Sequence, residues 1–183
     1  MSQPLHATLQ TTLYPRMKHQ SYTIGFDDLA DEQVAELLEQ HRIEMLRYSP
    51  PESSHALDSK SLKHPDLTFW SARDDNNKVL GCIALKRFNY NAPTKPSGHP
   101  CAEIKSMKVD SNALRTGVGQ ALLRHLLEYA TENQFCLLAL ETGSQRVFDP
   151  ARRLYEAHGF SECEPFGSYQ KDPHSVFYKL LLN

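Results

Sequence analysis

The stretch that most narrows the possible folds is VDSNALRTGVGQALL, residues 109–123. A strand ends at Val109, a short polar loop follows, and a helix opens at Gly117-Val118-Gly119. Val118, Leu122, Leu126 and Tyr129 recur at spacings of three and four, which is one face of an amphipathic helix. Asn133 suits its C-terminal stop. Apolar runs lie on both sides. Ala102 to Val109 reads as the strand before the helix. Phe135 to Leu140 is apolar without interruption, as in a strand buried on both faces. Strand, helix and strand in this order join two parallel neighbours by a right-handed crossover. Pro150 fits the first turn of a shorter helix ending at His158-Gly159. Phe160 to Cys163 and Val176 to Leu182 read as closing strands. The fold class is therefore α/β (α+β), a layered domain with helices flanking a sheet.

The N-terminal half supplies the rest of the sheet. Residues 1–19 read as a loose tail, and residues 20–183 as a single domain. Tyr22 to Phe26 suits a short strand. Asp31 opens a helix whose stripe is Val34, Leu37, Leu38, Ile43 and Leu46, stopped by Ser49-Pro50-Pro51. Ser53 to Lys63 suits a second, short helix. Leu67 to Arg73 and Val79 to Leu85 flank the turn cluster Asp74 to Asn77 and form a hairpin. Asn91 to Pro100, with three prolines and a glycine, is a loop.

Composition excludes several function classes. The formal net charge is -2 and no long basic run occurs, so no nucleic-acid partner is expected. No apolar run is long enough to span a bilayer, so no membrane partner is expected either. The N-terminus lacks the apolar core of a signal peptide, and the expected compartment is the cytoplasm. The four cysteines, Cys82, Cys101, Cys136 and Cys163, contain no CxxC pair and read as reduced thiols. The nine histidines contain no HExxH pair, and no metal site is expected.

The glycine loop has the form of a pyrophosphate site. The first amides of a helix lack intrahelical partners and carry partial positive charge. Gly117 and Gly119 let a ligand approach the backbone, and Arg115 adds a cation. Two glycines at a helix start are also a common tight turn. No Lys-Ser/Thr follows, which excludes a P-loop, and the third glycine of a dinucleotide fingerprint is missing.

Three motifs in order resemble the GNAT superfamily of acetyl-CoA-dependent N-acetyltransferases. AEIKSMKVD (102–110) is similar to the family's central strand, and LRTGVGQALL (114–123) to its Gln/Arg-x-x-Gly-x-Gly/Ala loop and helix. ARRLYEAHGF (151–160) is similar to its Leu-Tyr-x-x-x-Gly-Phe helix end. The stretch from LETGS to the end of that helix resembles a bacterial branch of small, stand-alone enzymes. The resemblance implies a mixed, largely antiparallel central sheet flanked by helices, with two splayed parallel central strands and a bulge that parts them. It implies acetyl-CoA as cosubstrate. A small-molecule amine is the expected acceptor, since no appended recognition domain is seen in the sequence, and a homodimer is allowed. Two positions depart from the pattern. Leu114 stands where Gln or Arg is usual. Phe148 stands where an Asn usually contacts the pantetheine arm.

Acetyl transfer to an amine needs a base for the ammonium proton, a donor for the carbonyl oxygen and a proton for the departing thiolate. By resemblance the base is Glu103 and the acid Tyr155. Glu103 has a competing structural role, pairing with Lys105 on the same strand face. Tyr155 has one too, as a core aromatic. Met107, Lys108 and Val109 serve through their backbone, the Met107 amide facing the acetyl oxygen. The amides of Arg115, Thr116, Gly117, Val118, Gly119 and Gln120 take the pyrophosphate. Arg47, Tyr48, His55, Trp70, Tyr169 and His174 fall in segments that line the acceptor cleft in the family. Transfer to a protein N-terminus or lysine, a non-catalytic acyl-CoA-binding module, and a module that binds only nucleotide or phosphate are the alternatives.

Overall fold

The computed structural model describes residues 12–14, 21–48, 64–88 and 100–182. Its strands are β1 (Thr12–Tyr14), β2 (Tyr22–Phe26), β3 (Leu67–Asp74), β4 (Val79–Phe88), β5 (Cys101–Val109), β6 (Leu137–Gly143), β7 (Ser161–Glu162) and β8 (Ser175–Leu181). Its α-helices are α1 (Glu32–Tyr48), α2 (Val118–Glu132) and α3 (Asp149–Ala157). The described strands form one sheet in the order β1-β2-β3-β4-β5-β6-β8-β7. Every pairing is antiparallel except β5 with β6, which are parallel neighbours joined through α2. This is the mixed, largely antiparallel sheet expected. Within the stretch read as tail, Thr12–Tyr14 adds an edge strand against β2. The short helix expected over residues 53–63 lies outside the described residues.

The sheet buries both faces. On one, Ala102, Ile104, Leu138 and Leu140 pack against Val118, Leu122 and Leu126 of α2, with Tyr155 and Phe160 beside them. On the other, Val34, Leu37 and Leu38 of α1 cover Phe69, Cys82 and Ala84. A third cluster sets Phe166 and Phe177 on Cys101, Leu137 and Ala139.

Asp31 caps α1, its Oδ1 accepting the Gln33 amide at 2.8 Å while Oδ2 accepts Arg73 Nη1 at 2.7 Å. The stripe departs from the expected one at its C-terminal end. Met45 is buried, whereas Ile43 and Leu46 are 42% and 39% exposed. Met45 lies seven residues after Leu38, two helical turns on, and so continues the buried face. The strand expected from Phe135 starts at Leu137 instead, because Phe135 closes α2. The Gln134 amide donates to Thr131 O and the Phe135 amide to Ala130 O, with Gln134 at φ +57. That paired bond is the usual left-handed helix ending, and it spends Phe135 as a hydrophobic cap.

His41 on α1 is held down at about 4 from its usual 6.5, first by burial and then by the Lys108 charge, with Glu44 opposing. The folded chain keeps this imidazole neutral, while the unfolded chain protonates it near 6.5. The stability it contributes is present above 6.5 and lost as pH falls toward 4. The melting temperature is expected to drop across that window, and less steeply in His41→Gln. Equal slopes in a pH series of melting curves would rule out His41 as a source.

Candidate active site

The β5–β6 ladder ends early. It pairs Cys101–Ile104 with Leu137–Leu140, although β5 continues to Val109 and β6 to Gly143. A bulge accompanies the parting. Cys82 pairs with Lys108 and Ala84 with Lys105, so Ile83 faces two residues, Ser106 and Met107. Ser106 takes φ +51. Its carbonyl accepts the Cys82 thiol at 3.4 Å. Burial pushes that thiol up to about 12, so it stays a protonated donor. The extra residue inverts the strand's alternation. Before it, Ala102 and Ile104 face α2; after it, Met107 and Val109 do. Lys108 turns to the α1 side, where its ammonium pairs with Glu44.

Beyond the bulge β5 leads to the glycine loop. Asp110 caps a short 3-10 turn, Ser111–Ala113, by accepting the Asn112 amide. Arg115 and Gly117 both have positive φ, +59 and +88. Gly117 is the N-cap of α2 and offers no side-chain cap to the first amides. Arg115, Gly117 and Gln120 are exposed. Gly119 keeps a gap open. A Cβ there would sit 3.3 Å from Val109 Cγ2, 3.6 Å from Met107 Cε and 3.9 Å from Leu154 Cδ2. An extended strand edge without a β6 partner, leading to uncapped amides and a glycine-lined gap, fits a pantetheine arm ending in a pyrophosphate.

Tyr155 enters from α3. It is 6% exposed, and its hydroxyl donates to Met107 Sδ at 3.5 Å. Burial, and secondarily the Glu141 charge, push the phenol above its ordinary range, so it keeps its proton throughout the neutral region.

Glu103 lies on the opposite face. It pairs with Lys86 across the ladder, as Lys105 does with Ala84, which places both on the α1 side. Glu103 Oε1 accepts the Tyr169 hydroxyl at 2.5 Å and the Lys105 ammonium at 2.7 Å. Lys105 also donates to the Tyr169 oxygen and lies 5.1 Å from that ring's centroid. The Lys105 pairing is thus formed, and Tyr169 joins it. Burial and then the Glu103 carboxylate raise the Tyr169 phenol strongly.

The structure separates the acceptor-side residues. Trp70 belongs to the core instead, fully buried and stacked on Phe26 with its edge to Tyr129. Arg47 and Tyr48 are exposed at the end of α1. The Tyr48 ring meets Phe148 edge-on with centroids 6.0 Å apart. Phe148 lies over the tip of β6, where a Cβ on Gly143 would fall 2.2 Å from its ring. His174 Nδ1 is 3.3 Å from Gln145 Nε2. His55 lies outside the described residues. A cleft of about 390 Å³ runs between α1 and the end of β5, lined by Glu44, Arg47, Tyr48, Lys108 and Leu114 among others.

One polar residue here escaped the sequence reading. Glu141 is the first residue of β6 past the ladder, and its Oε1 accepts Ser175 Oγ at 2.7 Å. Alternation from Leu137 and Ala139, which face Phe166 and Phe177, was the available signal. No group of three or more potential metal ligands occurs among the described residues. No described helix is long and apolar enough to cross a membrane.

Comparison with known proteins agrees with this geometry. Residues 27–160 match the family model described as Acetyltransferase (GNAT) family. An uncharacterized N-acetyltransferase of Bacillus subtilis, YsnE, is 44% identical over 84% of this chain and 95% of its own. Another from Escherichia coli, YedL, is 43% identical over 88% of this chain and 95% of its own. Among solved structures, the GNAT domain of S. lividans PAT superposes with a TM-score of 0.69 at 16% identity, covering 94% of this chain and 97% of that one. The ribosomal-protein-alanine N-acetyltransferase of Brucella melitensis gives 0.61 at 20%, covering 87% and 99%. With the model match spanning most of the domain and close relatives matched nearly end to end, this chain belongs to the GNAT family of acetyl-CoA-dependent N-acetyltransferases.

Proposed function

We propose that the enzyme acetylates a primary amine of a small molecule by direct attack in a ternary complex, with Glu103 as base and Tyr155 as acid. One observation carries this reading. The parted strands have a hydrogen-bonded carboxylate, Glu103, on one face and a buried phenol, Tyr155, on the other. An amine approaching from the α1 side meets the carboxylate, and a thiolate leaving toward α3 meets the phenol. When bound, acetyl-CoA supplies the thioester carbonyl. The backbone of Met107, Lys108 and Val109 holds the pantetheine arm, and the Met107 amide donates to the carbonyl oxygen as negative charge develops there. The amides of Arg115, Thr116, Gly117, Val118, Gly119 and Gln120 take the pyrophosphate. Phe148 offers no side-chain amide for the pantetheine, so backbone contacts would carry the arm. The α1–β5 cleft has a volume in the range of small-ligand sites, and neither Glu103 nor Tyr155 is among its lining residues.

Thermal melting with acetyl-CoA, CoA and ATP tests the cofactor. A ligand at a hundred times its dissociation constant stabilises by about 2.7 kcal/mol, a shift of roughly 5–10 °C for a domain of this size. Acetyl-CoA and CoA are expected to produce it and ATP is not. A panel of primary amines with thiol detection then identifies acceptors. No shift with acetyl-CoA at saturating concentration would refute the reading.

A further inference from the structure

Two thiols meet where β5 and β6 begin. Cys101 opens β5, Cys136 stands just before β6, and their Sγ atoms are 3.5 Å apart, in contact. The backbone around them is held. Cys101 is in register with Leu137, the first pair of the β5–β6 ladder. The Cys136 amide donates to Pro100 O at 3.0 Å, and its carbonyl accepts the Leu182 amide at 3.0 Å. Neighbouring strands lie about 4.8 Å apart and rise about 3.3 Å per residue, so a residue one step off register is about 6 Å away at Cα. Disulfides occupy a Cα window of about 4.4–6.8 Å. The other two cysteines do not compete. Cys82 lies on β4 level with Lys108, and its thiol donates to Ser106 O. The Cys163 amide bonds to Phe177 O, and Phe177 is level with Glu141, toward the far end of β6 from Cys136. That separation, at about 3.3 Å per residue, exceeds the reach of a disulfide.

The pair is asymmetric. Cys101 is 1% exposed, within the cluster of Leu137, Ala139, Phe166 and Phe177, whereas Cys136 is half-buried and packs against that cluster. An oxidant from solvent therefore meets Cys136 first. We infer that Cys101 and Cys136 are a redox-responsive dithiol, which a hydroperoxide closes to a disulfide that staples β5 to β6 at the closed end of the splay. With hydrogen peroxide, the Cys136 sulfur attacks one oxygen, the O–O bond breaks, and a sulfenic acid and a water form. The Cys101 sulfur then attacks the Cys136 sulfur. The S–O bond breaks, and its oxygen leaves as a second water that carries the Cys101 proton. The two thiols together lose two electrons, and the peroxide is reduced to two waters. The new bond joins residues 35 positions apart and closes a loop that contains the bulge, the glycine loop and α2. Such a cross-link stabilises by removing freedom from the unfolded chain. It lies at the end of the ladder away from the slot, which opens past Ile104 and Leu140.

Mass spectrometry and melting curves of the full chain test it. The wild type, Cys136→Ser, Cys101→Ala and Cys163→Ser are treated with hydrogen peroxide in slight excess. The wild type and Cys163→Ser are expected to lose two hydrogens and to yield a peptide pair linked through Cys101 and Cys136. Dithiothreitol is expected to restore both masses. The oxidised wild type is expected to melt roughly 5–10 °C above the reduced one. Cys136→Ser and Cys101→Ala are expected to form no such link and to show no rise. One of them folded is enough, and if neither folds the linkage map of the wild type decides. Oxygen added at Cys136 without a link overturns the inference, as does a link from either thiol to any other cysteine. An unchanged mass, with every thiol alkylated after unfolding, overturns it as well. A Cys101–Cys136 link that melts no higher than the reduced form also overturns it, because the native ladder then does not hold the bond.

Discussion

Glu103→Gln is expected to lower turnover by roughly 10²–10⁴-fold, the range for removing a base that acts directly. Acetyl-CoA affinity is expected to change little, since no cofactor contact is assigned to this side chain. Raising the pH restores part of the rate by supplying free amine. The structure adds a control. Glu103 and Lys105 form a largely buried pair, 9% and 12% exposed at their side chains. Removing one charge leaves the other uncompensated, at a cost of about 3–5 kcal/mol when burial is complete. Glu103→Gln therefore also lowers the melting temperature, and a Glu103→Gln/Lys105→Met double variant recovers stability without recovering turnover. If the double variant regains activity, the loss was structural and the base assignment falls. Tyr155→Phe is expected to lose less, because the thiolate of coenzyme A is a fair leaving group. Its loss is not rescued by high pH, so the two profiles separate the roles.

Gly119→Val is expected to weaken acetyl-CoA binding by roughly 100-fold or more, as several charge-assisted hydrogen bonds lose their geometry together. A Cβ at this position already touches Val109, and the two methyls of valine enter the gap between β5, α2 and α3. Calorimetric titration with acetyl-CoA measures it, and a folded variant with unchanged affinity would rule out the slot. Gly117 makes a poorer test. Nothing lies within 4 Å of a Cβ there, but φ is +88, where a β-branched residue is strained. Gly117→Val therefore mixes backbone strain with ligand loss. Leu114→Ala is expected to matter little, since Leu114 is 58% exposed and no contact is assigned to its side chain.

Periodicity and turn chemistry made most of the sheet legible. The β3–β4 hairpin, the β5–α2–β6 unit and the α3 helix all followed from apolar spacing, glycine and proline. What escaped depends on partners distant in sequence. Ile43 and Leu46 fit a helical stripe, yet which stripe is buried is decided by Phe69, Cys82 and Ala84 on two other strands. Trp70 resembled a cleft aromatic, but β3 alternation turned it toward Phe26 and Tyr129. Glu103 and Tyr155 were nameable through motif position. Tyr169 was named among the cleft candidates, but its bond to Glu103, which spans 66 positions, was not legible. Glu141 followed an apolar run and read as its end, since nothing local marks where the β5–β6 ladder stops.

Ser106 acts on β5 as a one-residue frameshift acts on a message. Upstream, odd positions face the α1 side, and downstream they face the α2 side. A strand in strict alternation would tie these two surfaces to a single reading frame. Here Glu103 and Lys105 share the α1 face, while Met107 and Val109 pack on the α2 face two to six residues on. Deleting Ser106 would leave Met107 opposite Ile83 on the α2 face and Lys108 opposite Cys82 on the α1 face, but it would close the bulge and remove the bend it gives β5. The bulge thus sets the shape of β5 where it leaves β6, while the face each side chain takes follows from ordinary alternation on either side.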